Sequence, residues 1–126
     1  MSNGFKPASI TTQPGSAQAG GQDRRAHPRR PLRTSAVVTL AGRQLPARTV
    51  DLSKEGLAIT VDANLATGTD CSVSFSLVVG GQSRRLLLRG RVVDTVLSGQ
   101  DGFRTGLLLG PVSAEDKRVI ELFLAG

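Results

Sequence analysis

The 126-residue sequence has no tryptophan and no tyrosine, and its four phenylalanines (Phe5, Phe75, Phe103, Phe123) are scattered. That argues against a single-stranded nucleic-acid binder built on aromatic stacking platforms. A single cysteine, Cys71, excludes an intrachain disulfide and a cysteine-based zinc site. A single histidine, His27, excludes a histidine-rich metal centre. No apolar run approaches the ~20 residues of a membrane span, and no basic stretch precedes an apolar signal core, so a cytoplasmic location is the expectation. Lysine is scarce as well. Only Lys6, Lys54 and Lys117 occur, so the formal net charge of +6 rests on arginine. Arginine offers a planar fork for phosphate and a flat face for a base, where lysine offers a point charge.

The composition changes along the chain. Residues 1–22 are mostly Gly, Ser, Ala, Thr, Gln and Pro, with Phe5 and Ile10 as isolated large apolar side chains. Such a stretch buries too little surface to offset its ordering entropy, and a disordered tail is expected. Residues 23–33 read as an extended arm, with Arg24, Arg25, Arg29 and Arg30 among Pro28 and Pro31. From 34 to 110 the pattern is that of short antiparallel strands with tight turns. Cys71 to Val79 alternates most cleanly, with Val73, Phe75 and Leu77 on one side and Ser72, Ser74 and Ser76 on the other. Arg84 to Leu97 reads as a long strand bent at Gly90. Pro46 marks an edge or a bulge in the strand that ends at Leu52. Over 113–125, Ser113 can cap a helix that carries Val119, Ile120, Phe123 and Leu124 on one face. Five or six strands and then one helix predict a mainly β chain, a small antiparallel barrel with a C-terminal helix docked on it.

Two stretches carry chemistry. Arg25 and Arg29 flank Pro28 on an extended arm, and their guanidinium groups could clamp a phosphodiester and stack on a purine. A solvated basic linker explains them equally well. Asp51, Ser53 and Gly56 mark a polar turn between two apolar strands. A carboxylate at Asp51 can accept from both N1–H and the exocyclic amine of guanine, with Ser53 supplying a hydroxyl and Gly56 a close backbone approach. An ordinary Asx or Ser turn closed by a positive-φ glycine needs the same residues. Ser53, His27 and Asp51 make a catalytic triad on paper only, since no Gly-x-Ser-x-Gly elbow is present. Cys71 has no basic neighbour to activate it. Arg84, Arg85, Arg89 and Arg91 read as a solvated strand face, with an extension of the anion site as the less favoured alternative.

Taken together, RRxxxR at Arg24, Arg25 and Arg29 and DxSxxG at Asp51, Ser53 and Gly56 resemble the PilZ domain, a bacterial receptor domain for cyclic di-GMP. The likeness runs from about Arg24 to Leu124 and includes Phe103-Arg104-Thr105-Gly106-Leu107 and the terminal helix. It implies a six-stranded antiparallel barrel, no catalysis, no metal or cofactor, and capture of cyclic di-GMP by the arm against the turn. The ligand-binding residues would be Arg24, Arg25, Arg29, Asp51, Ser53 and Gly56. Arg30 departs from the family, standing where such domains often carry an aliphatic residue, and no aromatic stands near Val93-Asp94. Two stacked ligand copies carry four phosphodiester charges where one carries two, and Arg24 is placed to match the excess. The expectation is a receptor that relays occupancy to an unidentified protein effector. The runner-up is a basic barrel that binds nucleic acid through phosphates, and a third alternative is a PilZ-like adaptor that acts through protein contacts alone, against which the intact motif argues.

Overall fold

In the strand Asp70–Val79, Cys71, Val73, Phe75 and Leu77 are buried while Ser72, Ser74 and Ser76 lie half-exposed on the other face. The same period of two organises the whole molecule. The computed structural model describes residues 28–126. It contains β1 (Arg30–Pro31), β2 (Ser35–Leu40), β3 (Arg43–Leu52), β4 (Gly56–Val61), β5 (Asp70–Val79), β6 (Gln82–Leu97), β7 (Phe103–Leu109) and α1 (Ala114–Ala125). Every pairing is antiparallel, and the sheet order is β1-β3-β2-β5-β6-β7-β4. A further pairing of β3 with β4 closes six of these strands into a ring. The expected mainly β fold with its C-terminal helix is what the chain adopts.

β1 is a seventh strand beyond the six expected, and its origin is a mismatch of lengths. β3 has ten residues and β2 has six, so the last part of one β3 edge extends past β2. Arg30 pairs there with Leu52, and Pro31 with Asp51. Thr49, only 3% exposed, bridges the gap between β1 and β2. Its hydroxyl donates to the Leu32 carbonyl at 2.6 Å and accepts from the Thr34 amide at 2.9 Å. One side chain thus does the work of the ladder bonds that a break in the strand removes.

Bulges fall where the sequence did not mark them. The β5–β6 ladder runs through Cys71 and Gly90 without interruption, so there is no bulge at that glycine. Gly90 is small because a Cβ there would stand 3.3 Å from the Leu107 Cβ and from the Leu108 carbonyl oxygen. The register shift in β6 comes later, between Val92 and Asp94, and β3 has its own between Thr49 and Asp51. Pro46 sits where β2 is the neighbour of β3, just before the β4 pairing begins at Ala47.

The core fills the ring with Leu52, Ile59, Phe75, Leu77, Leu86 and Val92, each under 2% exposed. α1 contributes Val119, Ile120 and Phe123, and each such burial contributes about 1.5–3 kcal/mol. Ser113 caps the helix, its hydroxyl accepting from the Asp116 amide at 3.1 Å, with Glu115 and Asp116 in the first turn. The last turn has no basic residue of its own. Arg30 supplies the charge from outside, donating from Nη1 to the Phe123 carbonyl and lying 4.5 Å above the Phe123 ring. A guanidinium here performs the packing expected of an aliphatic residue and also completes the helix end.

Replacing Thr49 by valine keeps the shape but leaves the Thr34 amide and the Leu32 carbonyl without their side-chain partner. The expected cost is roughly 1–3 kcal/mol, read as a lower midpoint in urea at unchanged slope.

Candidate functional site

Parity decides which groups reach the surface. On β3, Ala47 and Thr49 face the core, so a regular strand would turn Asp51 inward as well. The extra residue at Val50 reverses that parity, and Leu52 takes the inward position while Asp51 lies outside. On β6, Leu88, Gly90 and Val92 face inward, and the extra residue at Val93 likewise leaves Asp94 on the outside. The registers then place four residues in one row across four strands. Asp51 pairs with Ala58, Ala58 with Gly106, and Gly106 with Asp94. Two carboxylates stand at the ends of this row, three strand spacings of ~4.8 Å apart, over a floor of Ala58 and Gly106.

Each oxygen of Asp51 faces an arginine. Arg29 Nη1 lies 3.6 Å from Oδ1, and Arg104 Nη2, from β7, lies 3.4 Å from Oδ2. The Asp51 side chain is 17% exposed while those of Arg29 and Arg104 are 65% and 50% exposed, so the pairs sit at the water boundary. At the other end, Asp94 Oδ1 accepts from the Gly106 amide at 3.1 Å. A Cβ on Gly106 would run into that same oxygen, so this glycine is the condition for the carboxylate to lie over the row. Arg29, Arg104, Val93 and Asp94 border a cleft of about 210 Å³ above Ala58 and Gly106.

Ser53 and Gly56 build the adjoining turn. The Ser53 amide donates to the Gly56 carbonyl at 2.9 Å, and the Gly56 amide donates to Ser53 Oγ at 3.0 Å. Ser53 Oγ also lies 3.3 Å from the Gly56 carbonyl, and Ser53 is 5% exposed. Gly56 is not among the positive-φ glycines, contrary to the turn geometry expected for it. Its constraint is steric, since a Cβ would stand 3.2 Å from the Leu107 carbonyl oxygen of β7. Of the six expected residues, Arg29 and Asp51 are in contact, and Ser53 and Gly56 form the turn beside them. Arg24 and Arg25 lie outside the described residues, as does His27.

Arg104 and Asp94 were not among the expected site residues. Arg104 stood in the strand noticed for its family likeness. Asp94 is betrayed only by the lapse of alternation at Val92-Val93-Asp94. Among the described residues, no group of three or more His, Cys, Asp or Glu could hold a metal ion. Burial, with Asp70 beside it, pushes the Cys71 thiol up, away from the reactive thiolate. None of the described helices is long and apolar enough to cross a membrane.

The family model for the PilZ domain matches residues 23–126. The chain belongs to the PilZ family. Solved structures share its fold at low identity. The motility inhibitor MotI (DgrA) of Bacillus subtilis superposes with a TM-score of 0.73 at 12% identity, covering 82% of this chain and 50% of that one. The PilZ domain of Escherichia coli YcgR, solved with c-di-GMP, gives 0.61 at 19% identity, covering 82% and 90%. K. pneumoniae MrkH, also solved with c-di-GMP, gives 0.63 at 18% identity, covering 82% and 52%. This PilZ chain therefore spans about half the length of MotI and of MrkH. No curated protein matches it.

The geometry separates two roles within the DxSxxG motif of this PilZ domain. Ser53→Ala removes a buried acceptor from the Gly56 amide and should cost roughly 1–2 kcal/mol. Asp51→Ala removes two half-exposed ion pairs and should stay within about 1 kcal/mol. Denaturant unfolding of both variants checks this order, and equal losses would place Asp51 in the turn instead.

Proposed function

We propose that this PilZ domain is a receptor for cyclic di-GMP, acting by binding and not by catalysis. The observation that carries the reading is Asp51, held on the outer face between Arg29 and Arg104 at one end of a row floored by Ala58 and Gly106. Family membership and the c-di-GMP complexes of YcgR and MrkH support it. In this reading the Asp51 carboxylate accepts from the N1–H and exocyclic amine of a guanine. Arg29 and Arg104 exchange that carboxylate for phosphodiester oxygens, and Arg25 joins them from the arm.

The exchange is favourable on magnitude. An exposed arginine–carboxylate pair is worth about 0–1 kcal/mol. A charge-assisted hydrogen bond to phosphate contributes roughly 1.5–3 kcal/mol. In this reading Arg24 and Arg25 close toward Arg29 and Arg30 against like charge, and a dianionic ligand removes that repulsion. Arg30 and Pro31, paired to β3, give the arm a fixed origin. Arg24 carries a second role. Two stacked copies of the ligand bring twice the charge of one, and Arg24 supplies the further cation and stacks on an outer guanine. The closed arm is then what a protein effector reads, in the cytoplasm.

Calorimetric titration with cyclic di-GMP, with GTP and a DNA duplex as controls, tests the reading. Two cyclic di-GMP molecules per chain are expected, with poor competition by GTP. Arg25→Ala and Arg29→Ala should each weaken binding by about ten- to a hundredfold and leave the melting temperature unchanged. Tight, salt-dependent duplex binding with no response to cyclic di-GMP would overturn the receptor reading. Arg24→Leu should reduce the count from two to one, and a count of one in the unaltered chain would remove only the role given to Arg24.

A further inference from the structure

A second and larger cleft, of about 540 Å³, lies beyond the other end of the β6–β7 ladder. Leu40, Cys71, Leu109 and Pro111 give it an apolar lining, and Arg89, Arg91 and Asp70 stand among the residues that border it. The register extends this basic border over the sheet. Thr39 pairs with Ser72 and Ser72 with Arg89, so two hydroxyls lie in line with that guanidinium on the outer face. Arg85 occupies the same face of β6, opposite Ser76. Leu87 lies between Arg85 and Arg89 and is 64% exposed, while Leu108, opposite Arg91, is 52% exposed. The side chains of Arg85 and Arg89 form no hydrogen bond or ion pair among the described residues, although Arg89 adds to the positive field that, after Arg91, holds the Asp70 carboxyl below its ordinary range. Arg91 pairs with Asp70 at 3.0 Å, and both partners are exposed.

An apolar recess bordered by arginines and flanked by exposed leucines has the anatomy of a protein interface: an apolar anchor point inside a polar, Arg-rich rim. Asp70 matches Arg91, so the unmatched charge is that of Arg85 and Arg89, and it specifies an acidic partner. No aromatic side chain lines the cleft on which a nucleobase could stack. The chain's own residues 1–22 contain no aspartate or glutamate and do not complement the rim. We infer that this cleft docks an acidic segment of a partner protein, which seats one apolar side chain against Leu40 and Leu109 and sets its carboxylates on Arg85 and Arg89.

The cleft wall is also hydrogen-bonded to the turn beside Asp51. The Leu109 amide donates to the Glu55 carbonyl at 2.8 Å, the Gly110 amide donates to the Arg89 carbonyl at 2.9 Å, and Gly56 pairs with Leu108. The docking surface and the turn therefore share one stretch of backbone. The inference itself stands on the cleft and does not need the nucleotide reading.

The test is an NMR titration of the isotope-labelled full chain with a short blocked peptide of glutamates around one central leucine. An all-glutamate peptide of equal length and a DNA duplex serve as controls. The leucine peptide should shift the amides of Arg89, Leu109 and Gly110. Arg85→Ala combined with Arg89→Ala, both exposed positions, should weaken it by roughly tenfold or more. Three results would overturn the inference. The leucine peptide could leave those amides unmoved at millimolar concentration. The all-glutamate peptide or the duplex could bind as well as the leucine peptide. The same amides could instead shift as the free protein is concentrated, which would make a second copy of this chain the occupant.

Discussion

Successive side chains on a strand alternate between core and surface, so one inserted residue reverses the face of everything after it. Two such insertions, at Val50 and Val93, set the chemistry of this molecule. With regular strands, Asp51 and Asp94 would share the parity of Thr49 and Val92 and aim into an apolar core. An unpaired buried carboxylate is costly enough to force either protonation or unfolding. The bulges instead turn both acids outward onto one row, while Leu52 stays in the core. The closing pair of strands, β3 and β4, thus carries the site as a consequence of its irregularity.

The two neighbouring arginines at the start of the described chain divide their work by the same logic. Arg29 reaches Asp51, while Arg30 reaches the C-terminal end of α1 and the face of Phe123. A polar residue thereby performs an anchoring task, and the arm and the helix become mechanically adjacent. Arg30 donates to a helix carbonyl at the end where the helix dipole is negative, and its flat group lies on an aromatic ring. Lysine could supply the charge but not the flat contact. Whatever moves Arg29 acts one residue away from a group that holds the helix.

The exposed ion pairs around Asp51 are weak in water, and that weakness suits a site that exchanges partners. The strong constraints lie underneath them: the buried Ser53 hydroxyl closing the turn, the absence of a Cβ at Gly106 beneath Asp94, and the close approach of Gly56 to the Leu107 carbonyl. A rigid, satisfied backbone thus presents loosely paired charges. The second cleft borders the same backbone, since Glu55 and Leu109 are joined by a hydrogen bond.

The sequence by itself determined the elements and their faces. Alternation at Val73, Phe75 and Leu77 and helical spacing at Val119, Ile120 and Phe123 are local periodicities, and local periodicities survive into the fold because burial rewards them directly. The motif residues from Asp51 to Gly56 were legible for the same reason, as a turn between two apolar runs. Only the tertiary structure decided where the alternation breaks, because a bulge is defined against a partner strand: Val50 against β4 and Val93 against β7. That is why Asp94 escaped notice as a residue of the site. The strand at Arg30 and Pro31 was equally hidden, since it exists only where β3 outruns β2. Arg104 was visible as a residue but not as a partner of Asp51, because their meeting depends on how β3, β4 and β7 lie side by side. Contacts between strands distant in sequence are set by register, and register is a property of the assembled sheet.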